Sequence, residues 1–238
     1  MNASHKSDAK NRLSDLLSKG LAIDIFLAEQ ALAIEEVIGK NAEAINKANF
    51  GRVFGPIQTV LVRDAILATC RLFEPEKQFP LRSIPAAIKL LDAQIANLQI
   101  EQRHYVVDWL VKQGYEQFKL AQLGDRAMTQ LLLQTFSERV PQGESSHLTK
   151  AWKALKTRRD KVLAHHEVVE ASALPQATYA DLDKLLDYAK DFVSVIGMGY
   201  LSTAFSVMYK KERLSSDAGV VGRGLRRLLR KTGILSDR

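Results

Sequence analysis

Apolar residues recur at three- and four-residue steps through most of this 238-residue chain, the period of helices with one buried face. Ile23, Phe26, Leu27, Ile34, Val37, Ile38 and Ile45 predict a long helix over 21–48. Ile57, Val60, Leu61, Ala65, Ala68 and Leu72 predict a second over 56–72, with Gly51, Gly55 and Pro56 at its boundary. The prolines at 75 and 80 predict a loop. Ser83 is placed to cap the next helix, with Pro85 just inside its start. Ile88, Leu90, Leu91, Ile95 and Leu98 continue it. The pattern leaves open whether it breaks near residue 100 or runs on through Tyr105, Val106, Trp109 and Leu110. Gly114 and Gly124 read as breaks, and Asp125 as the cap of a helix carrying Met128, Leu131, Leu132 and Phe136. Pro141 to Glu144 reads as a turn, with Ser145 or Ser146 starting the helix after it. Thr178 and Asp181 have the spacing of a capping box ahead of Leu182, Leu185, Leu186, Ala189, Phe192, Val193 and Ile196. No strand-like alternation of useful length and no repeat period is visible. The expected fold is therefore all-α. One bundle would span about 21–210, with a loose segment over 1–20 and a tail over 211–238.

One helix breaks its own rule. Leu148, Ala151, Trp152, Leu155, Val162 and Leu163 form an apolar stripe, yet the position that extends it past Leu155 is Arg159. A guanidinium on a buried face must find partners, because an unpaired buried charge is expensive. The partner would be an acidic side chain, a second subunit or an anion. Nearby stand Arg158, Asp160, Lys161, His165 and His166. Two plainer readings exist: a histidine pair that complements a helix C-terminus, and a solvated basic face.

The run Arg159-Asp160-Lys161-Val162-Leu163-Ala164-His165 resembles the motif of the HEPN superfamily, an Arg followed by a polar residue and, four to six residues on, a His. The Ala-His ending and the helices before it are similar to the AbiU-type abortive-infection branch. The resemblance implies a HEPN-like bundle with extra helices, symmetric dimers with the motif in a shared cleft, and a ribonuclease of phage-defence or toxin–antitoxin type. It implies Arg159 on the phosphate, His165 as general base or acid, and Asp160 orienting one of them. Arg158 and His166 are rivals, since residues seven apart share a helix face. In an unbroken helix Arg159 and His165 point about 120° apart, so the helix must loosen or end near Leu163 for them to converge. No Gly or Pro enforces that. A different class stays open: a non-catalytic HEPN module that binds nucleotide or RNA, or scaffolds a partner.

The chemistry suits these residue types. A ribose 2′-OH can attack its own phosphate if one group takes its proton and another protonates the leaving oxygen. Histidine is matched to both tasks near neutral pH. A fixed guanidinium stabilises the negative charge of the transition state. Such a site needs no metal and no cofactor. His5, His104 and His147 are isolated and lack metal-ligand spacing. Trp109 and Trp152 read as core anchors.

Charge adds a second feature. From Lys210 onward nine basic residues face three acids, so all but one unit of the net +7 belongs to the tail. Val220, Val221, Leu225, Leu228 and Leu229 can share one helical side, with Arg223, Arg226, Arg227 and Arg230 around the rest. A basic amphipathic helix suits RNA, an acidic partner such as an antitoxin protein, or an anionic membrane surface. Arg158 and Lys161 would add to an RNA surface. The tail is expected to be dispensable for folding. The uncharged run 192–209 reads as a central helix rather than a membrane span, with Gly197 and Gly199 permitting close packing. Cys70 is the lone cysteine, which excludes an intrachain disulfide and fits a reducing cytoplasm.

Overall fold

The computed structural model describes residues 3–76, 78–139, 147–164, 177–205 and 217–236. These residues are helices and connecting turns, with no strand among them. In chain order they are α1 (Ala3–Leu16), α2 (Ala22–Lys40), α3 (Ala42–Lys47), α4 (Gly51–Leu72), α5 (Ile84–Ala93), α6 (Arg103–Lys112), α7 (Gln117–Ala121), α8 (Asp125–Ser137), α9 (His147–Arg158), α10 (Tyr179–Leu201) and α11 (Gly219–Lys231). Two wide π-helical turns interrupt them, at Leu17–Leu21 and Arg159–Ala164.

The core is built around α10, which packs against α6, α9, α2 and α4. Phe192, Val193, Ile196 and Tyr200 are wholly buried. Phe136 of α8 ties the layers together: Trp109 stacks on it at 4.1 Å, and Phe192 meets it edge-on at 4.9 Å. The two buried tyrosine hydroxyls in this core have partners, as burial demands. Tyr188 Oη donates to the Phe136 carbonyl, and Tyr200 Oη to Thr129 Oγ1. Gly199 packs so tightly on α6 that a Cβ there would lie 2.8 Å from Val106 Cγ2. The apolar run starting at Phe192 is thus interior helix as far as Leu201; residues 206–209 lie outside the described part. Among the described residues the helix long and apolar enough to cross a membrane is instead α4.

Several local signals act as expected. Ser83 caps α5 with Pro85 in its first turn, and Thr178 and Asp181 form the reciprocal capping box of α10. The open question near residue 100 resolves as a break, with α5 ending at Ala93 and α6 beginning at Arg103.

Other expectations need correction. The 1–20 segment is not loose: α1 is regular, and Leu13 and Leu17 are wholly buried. It joins α2 through the first π turn, where Gly20 lets Arg82 approach within 2.2 Å of where a Cβ would stand. The predicted helix 21–48 breaks at Asn41, and its buried face carries Ile25, Ala28 and Leu32, leaving Ile23 and Leu27 nearly half exposed. Sequence α2 is apolar on nearly every side, so its stripe had no unique reading. Helix α4 starts at Gly51, with Pro56 inside it, and Ile57 and Val60 are exposed. Asp125 does not cap α8; Gly124 holds that position, and the Asp125 carboxylate pairs with Arg103 at 2.9 Å.

The tail is also part of the packing. Ala218, Gly222, Leu225 and Leu229 form the inward face of α11, which lies against α2. Leu229 joins Val37, Ile38 and Ile45 in a small second core. Val220, Val221 and Leu228, expected on that side, are exposed.

Candidate functional site

The motif arginine is set by α9. Thr149, Ala151, Ala154 and Leu155 are its buried positions, and the next step along the Ala151–Leu155 face is Arg159. Its side chain is only 16% exposed. The acid it required is supplied by the same chain: Arg159 Nη1 donates to Glu74 Oε2 at 3.0 Å and Nη2 to Glu74 Oε1 at 3.4 Å. The third donor, Nε, reaches Asp160 Oδ1 at 2.7 Å. Asp160 is bridged in turn by Lys156 Nζ at 2.6 Å, one helical turn back.

The electrostatics follow from that geometry. Burial alone would favour neutral arginine, but the Asp160 hydrogen bond and the nearby carboxylates outweigh it and hold the Arg159 pKa above its ordinary value. Burial likewise opposes ionised Asp160, yet the bonds from Lys156 and Arg159 keep its pKa below the ordinary range. Cys70 of α4 is buried beside this cluster, and burial pushes its thiol up to about 12 against the pull of the Arg159 charge. It stays a neutral thiol and an unreactive one.

Helix geometry loosens here. The π turn Arg159–Ala164 begins at the motif arginine itself, four residues earlier than Leu163 and without Gly or Pro. Insertions of this kind often sit at functional sites, because they re-aim the side chains that follow. Those that follow are His165 and His166, which lie outside the described residues, as do the turn expected from Pro141 to Glu144 and the helix start expected at Ser145 or Ser146. The structure therefore brings together Arg159, Asp160 and Lys156, while the meeting of Arg159 with a histidine falls beyond what it describes. Arg158 and Lys161 are exposed on the outer side of the same turn. In α11, Arg223, Arg227 and Arg230 are exposed and Arg226 is half-buried, some distance along the chain from the motif.

Glu74 was missed by sequence reasoning, which placed it in a loop. It stands 85 residues from Arg159, and nothing local marks it among 27 acidic residues. The one available signal was the demand of Arg159 itself for a counter-charge.

Comparison with known proteins bears on this constellation. The sequence model of the HEPN AbiU2 family matches residues 8–218, which takes in the whole helical core and the motif. The chain belongs to the HEPN AbiU2 family. It is thus an all-α HEPN domain of the abortive-infection type. No curated protein and no solved structure matches it significantly. The matched span includes the Arg159–His165 segment and Glu74 alike, and the pairing of Glu74 with Arg159 comes from the geometry alone.

Proposed function

We propose that this HEPN AbiU2 protein is a metal-independent endoribonuclease of phage-defence or toxin–antitoxin type. The observation that carries the reading is Arg159. It is a fixed cation on an otherwise apolar helix face, oriented through Nε by Asp160, at the head of the wide turn that leads into His165 and His166. Arg159 would hold the scissile phosphate and stabilise charge on the phosphorane. His165 would move the proton of the 2′-OH or of the leaving oxygen. A histidine cannot easily stand on both sides of an in-line displacement, so two chains would share a cleft and each supply one. Arg158, Lys161 and the exposed arginines of α11 would hold the RNA backbone.

A second reading draws on a specific contact. Every donor group of Arg159 already has a carboxylate, so the cluster also suits a structural arginine in a non-catalytic RNA- or nucleotide-binding scaffold. Product chemistry separates the two. Purified protein incubated with single-stranded RNA in EDTA should yield fragments ending in 2′,3′-cyclic phosphate. Intact RNA after prolonged incubation, or fragments carrying 5′-phosphate, would contradict the proposal and favour the scaffold.

A further inference from the structure

The contact that serves the scaffold reading has another consequence. A guanidinium takes two oxygens of a phosphate through two parallel N–H bonds. The Arg159 edge best suited to that, Nη1 with Nη2, is spanned by the two oxygens of Glu74. Glu74 is not a floppy neighbour. It follows Phe73, a wholly buried ring 5.9 Å from Tyr188, so its backbone is anchored at the end of α4. Its side chain lines an open groove of about 1020 Å³ between α1, the first π turn and α5, while Arg159 does not line it. Of the pair, the Glu74 carboxylate is the more accessible, 34% exposed against 16% for the Arg159 side chain.

The groove is neutralised in the same manner. Lys19 and Arg82 both hold Asp15, at 3.0 and 2.8 Å, Arg71 holds Asp24 at 2.6 Å, and Lys89 holds Glu76 at 3.4 Å. Of its five cations, these four are already engaged. At those four cations an anion binds by exchange of partners rather than by filling an empty positive pocket.

We propose that Glu74 is an intramolecular stand-in for phosphate: it occupies Arg159 in the resting chain, and a substrate phosphate binds by displacing it. The proposal rests on the reading that Arg159 holds phosphate. Glu74 then restrains the site, lowering affinity for RNA, and whatever draws Glu74 away switches the site on.

Calorimetric titration with inorganic phosphate at fixed pH and ionic strength tests this. Glu74→Gln keeps the shape and removes the charge. It should bind phosphate roughly tenfold tighter than wild type, the size expected for one charge-assisted pair. The gain should vanish in Glu74→Gln combined with Arg159→Ala. No gain in Glu74→Gln, or a gain that survives loss of Arg159, overturns the proposal. If Glu74→Gln fails to fold, Glu74→Asp retains the charge but cannot reach both terminal nitrogens. It should bind several-fold tighter than wild type, and no tightening there overturns the proposal equally. RNA cleavage followed on the same samples separates this from the ribonuclease reading. Tighter phosphate binding through Arg159 without cleavage leaves the stand-in and removes the enzyme. Cleavage that needs Arg159 but is indifferent to Glu74 does the reverse.

Discussion

Asp160 is the residue whose local chemistry gives the sharpest expectation. Its carboxylate accepts from both Lys156 and Arg159, and its pKa in the folded chain lies below the ordinary aspartate value of 3.8. A depressed folded pKa contributes stability above the unfolded value and loses it as pH falls through the folded one. Wild type should therefore be more stable than Asp160→Asn by a constant margin near neutral pH, and the margin should shrink below about pH 4. Chemical denaturation at a series of pH values reads this directly. A margin that grows on acidification would mean that Asp160 is not held by the two cations. At this scale the sequence was informative about Arg159 and silent about Glu74. A charge on an apolar stripe announces that it needs a partner; which of many acids answers depends on how α4 and α9 dock.

Elements were legible where their signals are local. Ser83 with Pro85, and Thr178 with Asp181, fix helix starts through hydrogen bonds within one turn. Buried faces were legible only where polar residues outline them, as in α9, and not in α2, where tertiary packing selects among several apolar sides. The docking of α2 on α10 also contains a feature that no periodicity reveals. Lys190 Nζ donates to Glu29 Oε1 at 2.8 Å, and both side chains are nearly buried, at 11% and 5% exposure. Removing Lys190 strands the Glu29 charge, whereas Lys190 has a second partner in Asp187 at 2.8 Å. Lys190→Met should destabilise the protein by about 3–5 kcal/mol, and adding Glu29→Leu should restore most of the loss. Urea unfolding of the single and double variants checks this; a single variant within about 1 kcal/mol of wild type would show that water reaches the pair.

At the scale of the molecule, the basic tail changes role. Charge counting set it apart from the bundle, but Leu225 and Leu229 dock it on α2, where it covers Val37, Ile38 and Ile45. Leu229→Ala should cost about 2–5 kcal/mol, while Leu228→Ala, at 56% exposure, should cost little. Equal small effects would mean a detached helix. Deletion is therefore the wrong test of RNA binding. Glutamine at Arg223, Arg227 and Arg230 should leave the fold intact and flatten the salt dependence of single-strand binding by roughly two units of slope. An unchanged slope would assign the tail to another partner. Assembly belongs to this scale too. Phe50, Val53, Ile57 and Val60 leave an exposed apolar stripe on α4, 38–54% accessible, which is unusual for a chain that works alone. Light scattering should show a dimer at micromolar concentration, and a monomer would remove the shared cleft from the mechanism.

The function proposed for this protein depends on whether the Arg159–His165 segment does chemistry. The most direct measurement is the initial rate of RNA cleavage in EDTA by wild type, Arg159→Ala and His165→Ala, with folding verified for each. Loss of a positioned acid–base group typically costs ~10²–10⁴-fold, so His165→Ala should fall by that much, and Arg159→Ala should lose most of the activity as well. Loss confined to His166→Ala would move the site by one residue. Full rates in both Arg159→Ala and His165→Ala would contradict the account.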